Sequence, residues 1–527
     1  MPLAGNIITG FVHHGILMRR IIEFGLTLVA SVLLVACATA PLDHPKEPSA
    51  AITATEGTRL AQFSAEWRNG RLDHNGFYPL SKGLDAFGAR LSLADSAEVS
   101  IDAQYFLMKP DDAGLVFADR LLDAAERGVR VRLLLDDVFT TVEDGSLALL
   151  DAHPKIEVRI FNPVARQGVY AFNYVGNFEL ANRRMHNKSF TVDNQVTIVG
   201  GRNIAVEYFQ LETTGEFIDF DMLTVGPIVR QVSRSFDDYW NDELAVPLDA
   251  LHDAPDRDKI MEGRDRIMRG MAEAGNSVYA AAVNTELMQQ FDAGEVPPFL
   301  ADARIIVDQP NKLREEISEE HKIVAREIRG ELSRAVSEII IWTPYFIPRQ
   351  RGIELLRELH AKGVRVVLIT NSLATNNHTA VHSAYSRYRK DVLEAGVELW
   401  EARADAAKIT AEDGSTELEQ LTLHTKGILI DRKKVFVGSL NLDPRSIDIN
   451  TEMGLLIESE EMAGALTESS LQRIPDIAYR LQLDERGRIR WHATIEGRDV
   501  VETSEPQASV WRRLSAWVQK IAPEDQL

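Results

Sequence analysis

Residues Ala97 to Asp137 read AEVSIDAQYFLMKPDDAGLVFADRLLDAAERGVRVRLLLDD. An apolar strand runs into Tyr105-Phe106, an amphipathic helix follows with apolar residues at helical spacing, and a glycine opens a second apolar strand. Ser337 to Thr370, SEIIIWTPYFIPRQRGIELLRELHAKGVRVVLIT, repeats the plan. The aromatic pair recurs at Tyr345-Phe346, and Gly128-Val129-Arg130-Val131 recurs as Gly363-Val364-Arg365-Val366. Strands joined by a helical crossover lie parallel, so each stretch predicts an α/β layer. The repetition predicts two duplicated α/β sandwich domains related by a pseudo-twofold, an arrangement that brings one copy of any motif face to face with the other.

A chemical motif is duplicated in the same way. His186, Lys188 and Asp193 precede Gly200, Gly201 and Asn203; His424, Lys426 and Asp431 precede Gly438, Ser439 and Asn441 with identical offsets. Residues two apart on a strand share a face, so His186 projects with Lys188 and His424 with Lys426. Two histidines and two lysines then meet in one cleft at the interface. Each aspartate sits in a predicted turn, followed by an apolar strand that ends in small residues able to let a phosphate approach the backbone. Asn203, Ser439 and Asn441 add neutral donors for phosphoryl oxygens. A phosphodiester needs a nucleophile, an acid for the leaving oxygen and cations for the remaining oxygens, and this set supplies all three without a metal.

The paired H-x-K-x4-D-x6-G-[GS]-x-N pattern resembles the phospholipase D superfamily. TPYFIP (Thr343 to Pro348), Ala380 to Glu401 and GSLNLDPRS (Gly438 to Ser446) are similar to bacterial cardiolipin synthases of the type without paired N-terminal transmembrane helices. The resemblance implies metal-independent and cofactor-free phosphatidyl transfer through a phosphohistidine, with phosphatidylglycerol as substrate and phosphatidylethanolamine as a further candidate acceptor. His186 is the implied nucleophile, His424 the acid and base, and Lys188, Lys426, Asp193 and Asp431 complete the catalytic set. Glu452 and Asp221 fall where the family places carboxylates that orient the histidines. A phospholipase D hydrolase on the same site and a non-catalytic lipid-binding lipoprotein are the competing readings.

With Lys+Arg 58 against Asp+Glu 79, the net charge of -21 disfavours nucleic-acid partners. A composition of 45% hydrophobic and 26% charged residues excludes a wholly disordered chain. The one cysteine, Cys37, excludes an intrachain disulfide. It closes Leu34-Val35-Ala36-Cys37 behind the apolar run Phe24 to Ala36, which resembles the lipobox of bacterial lipoproteins; a plain uncleaved anchor is the other reading. Met18 is an alternative start. The expected organisation is a signal segment (1–37), a flexible tether (38–58), a first half (59–250) and a connecting region (251–310). A second half with a C-terminal extension (311–527) completes it. The implied location is the bacterial envelope, membrane-anchored and facing the periplasm.

Three further features stay open in the sequence. Tyr170, Phe172, Tyr174 and Phe178 with Arg166, Arg183 and Arg184 suit either a lipid-admitting lip or a loop packed on the core. His378 and His382 suit cleft lining better than metal binding. Val510, Trp511, Leu514, Trp517, Val518 and Ile521 form an apolar stripe suited to a membrane interface or to docking on the protein.

Overall fold

A computed structural model describes residues 40–166, 178–211, 216–406 and 421–519. The signal segment, Cys37, Ile521 and the aromatics at 170, 172 and 174 lie outside the described residues. No described helix is long and apolar enough to cross a membrane.

The first half contains β1 (Asn75–Leu80), β2 (Ser100–Tyr105), β3 (Arg130–Asp136), β4 (Ile156–Phe161), β5 (Ser189–Val192), β6 (Val196–Gly200), β7 (Glu216–Ile218), β8 (Asp221–Val225) and β9 (Ala245–Pro247). In space they run β1-β8-β6-β5-β2-β3-β4-β9, except β7, and β2, β3 and β4 are parallel. The second half contains β10 (Phe299–Val307), β11 (Glu338–Trp342), β12 (Arg365–Asn371), β13 (Glu398–Ala402), β14 (Leu421–Leu423), β15 (Gly427–Ile430), β16 (Lys434–Gly438), β17 (Met453–Glu458), β18 (Ala478–Leu483), β19 (Ile489–Ile495) and β20 (Arg498–Glu502). Without β14, their order β10-β17-β16-β15-β11-β12-β13-β18 repeats the first, and β19 and β20 extend it. The predicted duplication is therefore the architecture, strand for strand.

The predicted crossovers are the helices Asp112–Glu126 and Arg349–Ala361. Asp111 caps the first by accepting from the Gly114 N–H, while Val116, Phe117 and Leu121 turn its apolar face to the sheet. Strands β3 and β12 are covered on both faces, as expected of near-continuous apolar runs in parallel sheets. One core lies on the outer face of each sheet. A third joins the inner faces, where Val199 and Met222 of the first half meet Ile340, Val437 and Leu455 of the second. Strands β1 and β10 also pair antiparallel, which links the two sheets edge to edge.

Sheet register corrects one sequence equivalence. Ser100 pairs with Arg130 as Glu338 pairs with Arg365, so Tyr105 corresponds to Thr343 and not to Tyr345. The Tyr345-Phe346 pair lies two residues beyond its supposed counterpart.

Two expected boundaries also differ. Residues 40–58, expected to be part of a flexible tether, are held on the first half: Arg159 donates to the Glu47 carbonyl at 2.7 Å, Arg132 to that of Ser49 at 3.0 Å, and Ala51 N–H to Asp237 at 2.9 Å. The expected connecting region contains the helices Arg257–Gly270, Asn276–Val283 and Glu286–Asp292, which pack on the first-half core, and then β10, an integral strand of the second sheet. Gly88 permits that packing, since a Cβ there would lie 2.1 Å from the Ala282 carbonyl oxygen.

The motif aspartates belong to this framework. Asp193 adopts φ +51° in the β5-β6 turn, and its carboxylate accepts from the backbone N–H groups of Glu98, Val99 and Ser100 at 2.8–3.3 Å. Asp431 adopts φ +53° in the β15-β16 turn and does the same for Val336, Ser337 and Glu338. Each ties a hairpin to the start of the neighbouring central strand. Five residues of extended chain, ~16 Å, separate each aspartate from its motif lysine, so the expected catalytic role is replaced by a structural one. Asp193→Ala is predicted to cost about 2 kcal/mol, with a smaller loss for the more exposed Asp431→Ala. Calorimetry should show a melting point lower by several degrees, while turnover per folded molecule stays within about tenfold of wild type.

Candidate active site

The four motif side chains project from the residues just before β5 and β15 into the seam between the halves. His186, Lys188, His424 and Lys426 are all buried. His186 donates its backbone N–H to the Thr451 carbonyl at 3.0 Å, and Thr451 N–H returns a bond to Arg184 O at 3.0 Å. On the opposite side β14 pairs with β7, and the His424 N–H donates to the Ile218 carbonyl at 2.7 Å. Each histidine is thus fastened, by its own backbone, to the other half.

The residue after each of those carbonyls is a carboxylate. Glu452 Oε2 lies 2.9 Å from His186 Nδ1, and Asp219 Oδ2 lies 2.5 Å from His424 Nδ1. The carboxylate of each half therefore orients the histidine of the other. This geometry commits both Nδ1 atoms and leaves the chemistry to Nε2.

Glu452 lies against His186 Nδ1, the position expected of it, but Asp221 lies against neither histidine. Gly200 faces Asp221 across β6 and β8, while Gly438 faces Gly454 across β16 and β17, so the structural counterpart of Glu452 is Asp219. The similar runs Asp221-Met222 and Glu452-Met453 align two residues out of register. Asp221 instead forms a buried ion pair with Arg90 at 2.9 Å and lies 3.4 Å from Arg202.

The small residues after β6 and β16 also serve these carboxylates rather than a phosphate. A Cβ on Gly201 would stand 2.2 Å from Asp219 Oδ1. At the equivalent position the Ser439 hydroxyl donates to Glu452 Oε2 and accepts from the Met453 N–H. Asn203 likewise accepts from Leu107 N–H at 3.3 Å and donates to the Tyr208 hydroxyl at 2.9 Å. Neither Ser439 nor Asn203 therefore stands as the expected phosphate donor. Asn441 is buried with its Oδ1 unpartnered, but that oxygen is an acceptor and offers a phosphoryl oxygen no hydrogen bond.

Burial dominates the electrostatics. It holds His186 well below its ordinary pKa, with Lys188 and Lys426 adding to the effect. His424 is lowered to about 3 by burial and then by Lys426, with Lys188 contributing. Both lysines act on both imidazoles, as a joint site requires. Burial also lowers Lys188 to about 7 and Lys426 to about 8. It raises Glu452 to about 7, whereas at Asp219 the pull of His424 and Lys426 more than offsets burial and keeps the carboxyl low. The lysine amines are held in place by the carbonyls of their own histidines, at 2.6 Å for Lys188 and 2.5 Å for Lys426.

Aromatic rings line the seam without having been singled out in the sequence for this role. Phe106 meets the His186 ring edge-on at 4.8 Å and carries Lys188 over its face at 5.1 Å; exposed Phe139 lies against it in turn, tilted by 40° at 4.8 Å. Phe217 stacks on His424 at 5.0 Å, and Tyr208 meets it edge-on at 5.2 Å. Phe106 belongs to the aromatic pair marked in the sequence, although the sheet register shows that pair to be two residues out of step with Tyr345-Phe346. Phe217 did not, because its proximity depends on the exchange between β7 and β14.

The remaining candidates settle differently. Phe178 is exposed, but Arg166 pairs with Asp137 and Asp144, Arg184 with Asp136, and Arg183 donates to the Glu315 carbonyl, so these cations serve the protein itself. His378 lies against the Tyr345 ring at 5.5 Å, whereas His382 Nε2 lies 3.0 Å from Arg389 Nη2. The two histidines do not converge on a common ligand.

Residues 91–240 and 328–473 match the family described as cardiolipin synthase, PLD-like domain. The chain is 38% identical over 463 residues to cardiolipin synthase C of Escherichia coli K12, covering 86% of this chain and 96% of that protein. It is 26% identical over 390 residues to a cardiolipin synthase of Oceanobacillus iheyensis, covering 73% and 66%. The fold is shared with phosphatidylserine synthase of Haemophilus influenzae Rd KW20, at TM-score 0.55 and 13% identity, over 88% of this chain and 96% of that one.

The two neighbouring carboxylates make the orienting role testable. Asp219→Asn should leave the melting point near wild type and lower kcat by about 10²- to 10⁴-fold, the scale of losing a histidine-orienting carboxylate. Asp221→Asn should instead destabilise the fold by ~3–5 kcal/mol, since Arg90 is left buried without its charge partner. Paired melting curves and turnover numbers separate these outcomes, and the reverse pattern would reinstate Asp221 as the orienting residue.

Proposed function

Because the chain belongs to the phospholipase D superfamily, in its cardiolipin synthase-like branch, we propose that it transfers a phosphatidyl group from phosphatidylglycerol to a lipid hydroxyl through a phosphohistidine. The observation that carries this reading is the pair of buried imidazoles, each with Nδ1 held by a carboxylate of the opposite half, beside two buried lysines.

Binding of the phosphodiester anion offsets the lysine charges that depress His424, which takes up a proton at Nε2; His186 Nε2 then attacks phosphorus and the glycerol oxygen departs with that proton. In the second, His424 takes the proton of the acceptor hydroxyl, which displaces His186 and forms the new phosphodiester. One phosphodiester replaces another, so no nucleotide is consumed. The lysines neutralise the phosphoryl oxygens in a water-poor site, where such charges act strongly. The assignment of roles has electrostatic support. An acid must hold a proton during turnover, and Asp219, which stays ionised, stabilises an imidazolium at His424 better than the more readily protonated Glu452 does at His186.

Water competes with the acceptor at ~55 M, and positioning of the lipid hydroxyl overcomes it when the effective molarity is greater. The Phe139, Phe106 and His186 contacts offer an apolar path from the surface to the nucleophile, suited to an acyl-bearing substrate.

Purified enzyme incubated with phosphatidylglycerol, with and without phosphatidylethanolamine, is expected to yield cardiolipin by lipid mass spectrometry. His186→Ala and His424→Ala should each lower turnover by at least ~10³-fold, and a chelator should leave wild-type turnover unchanged. Phosphatidic acid as the sole product would make the enzyme a hydrolase. Substantial turnover in either histidine variant would remove the joint site.

We further propose that Cys37 is lipidated and holds the enzyme in the bacterial envelope, facing the periplasm. Support comes from the sequence Leu34 to Cys37. The intact mass of protein extracted from membranes should correspond to an acylated chain beginning at Cys37, and Cys37→Ser should leave the precursor uncleaved. A native chain that retains Phe24 to Ala36 without acyl mass would contradict lipidation.

A further inference from the structure

The helix Val510–Gln519 is amphipathic and faces the wrong way for a helix docked on a core. Val510, Trp511, Leu514, Trp517 and Val518 fall within about 120° of its circumference at 100° per residue. All five are exposed, Trp511 by 80% and Trp517 by 68%. The side turned to the protein offers the small Ala516, packed with Leu373 and Ala508. Arg512 and Arg513 tie that side down by donating to the carbonyls of Asn376 and Glu505. Burial of large apolar side chains is the main drive for docking a surface helix, yet among the described residues nothing covers this face.

We propose that this face is an interfacial helix that seats the enzyme on the lipid bilayer beside the mouth of its active cleft. The proposal rests on the lipid-substrate reading above and adds the element that meets the surface. Three observations favour a bilayer over a second copy of the chain. Two tryptophans on one face suit the headgroup boundary, where an apolar ring and a polar N–H are both accommodated. A stable protein interface engages ~20–30 residues a side, far more than this stripe offers.

The third observation is continuity with the site. The helix is fixed to the segment that carries Asn376, Asn377 and His378. Asn377 accepts from the Tyr345 hydroxyl at 2.6 Å, and the Tyr345 ring lies against His378. Tyr345 in turn is near enough to Tyr208 to act on it electrostatically, and Tyr208 packs on His424. A bilayer touching this helix therefore lies a few side chains from the acid of the reaction.

The test uses full-length protein and vesicles of phosphatidylglycerol and phosphatidylcholine whose acyl chains carry bromine. Tryptophan emission of the wild type should be quenched on binding. Trp511→Phe/Trp517→Phe should bind equally well but lose most of that quenching. Trp511→Ser/Trp517→Ser, still held to the vesicle by the N-terminal anchor, should lose roughly tenfold or more of its turnover on vesicles. Its turnover on a short-chain, monomeric phosphatidylglycerol should match wild type, and that same assay reports separately whether phosphatidyl transfer occurs at all. Quenching that persists in the phenylalanine pair, or vesicle turnover unchanged in the serine pair, overturns the proposal. So does a stripe found covered by self-association in sedimentation at assay concentrations.

Discussion

A reciprocal backbone exchange holds the reacting groups of this enzyme. The His186 N–H binds the carbonyl of Thr451, the His424 N–H binds that of Ile218, and the next residue in each case is the carboxylate that orients the bound histidine. Neither half can complete its own imidazole. The inner core between the sheets keeps the halves in register, so a displacement of one half costs both histidines their partners together. Catalytic geometry and association of the two halves are therefore one constraint.

Burying two lysines and two histidines together is costly, because each cation loses its water and repels the other. The structure relieves this by holding both imidazoles well below their ordinary pKa and by depressing the lysine pKa values to about 7 and 8. An incoming phosphodiester anion then supplies the missing counter-charge. Binding energy is concentrated where the phosphoryl group sits, and the site is poised for an anion despite a net charge of -21 over the chain.

Much of this was legible in the sequence because duplication turns a weak pattern into a strong one. The crossover units, the parallel strands and the four motif side chains follow from periodicity and spacing within each copy. What failed was fine register. The sequence points to Asp221 because a carboxylate before methionine occurs in both copies, and only the pairing of Gly200 with Asp221 and of Gly438 with Gly454 shows the offset to Asp219. Asp193 and Asp431 share a motif with catalytic residues, yet they bind backbone amides at the far end of a hairpin. Spacing along a chain records such residues together without recording which end of the strand does the chemistry. The tether and the connecting region were misread for a related reason, since polar composition does not reveal hydrogen bonds made to a distant strand or helix.

The central claim is that the two histidines, though symmetric in surroundings, have different tasks. It is tested most directly with a phosphatidyl substrate whose leaving group is p-nitrophenolate, which departs without an acid. Rapid quench in denaturant at neutral pH, followed by peptide mass spectrometry without acid, should show a lipid-bearing phosphohistidine accumulating at His186 in His424→Ala, while His186→Ala forms none. Label on His424, or equal rescue of both variants, would contradict the assignment and with it this account of the exchanged site.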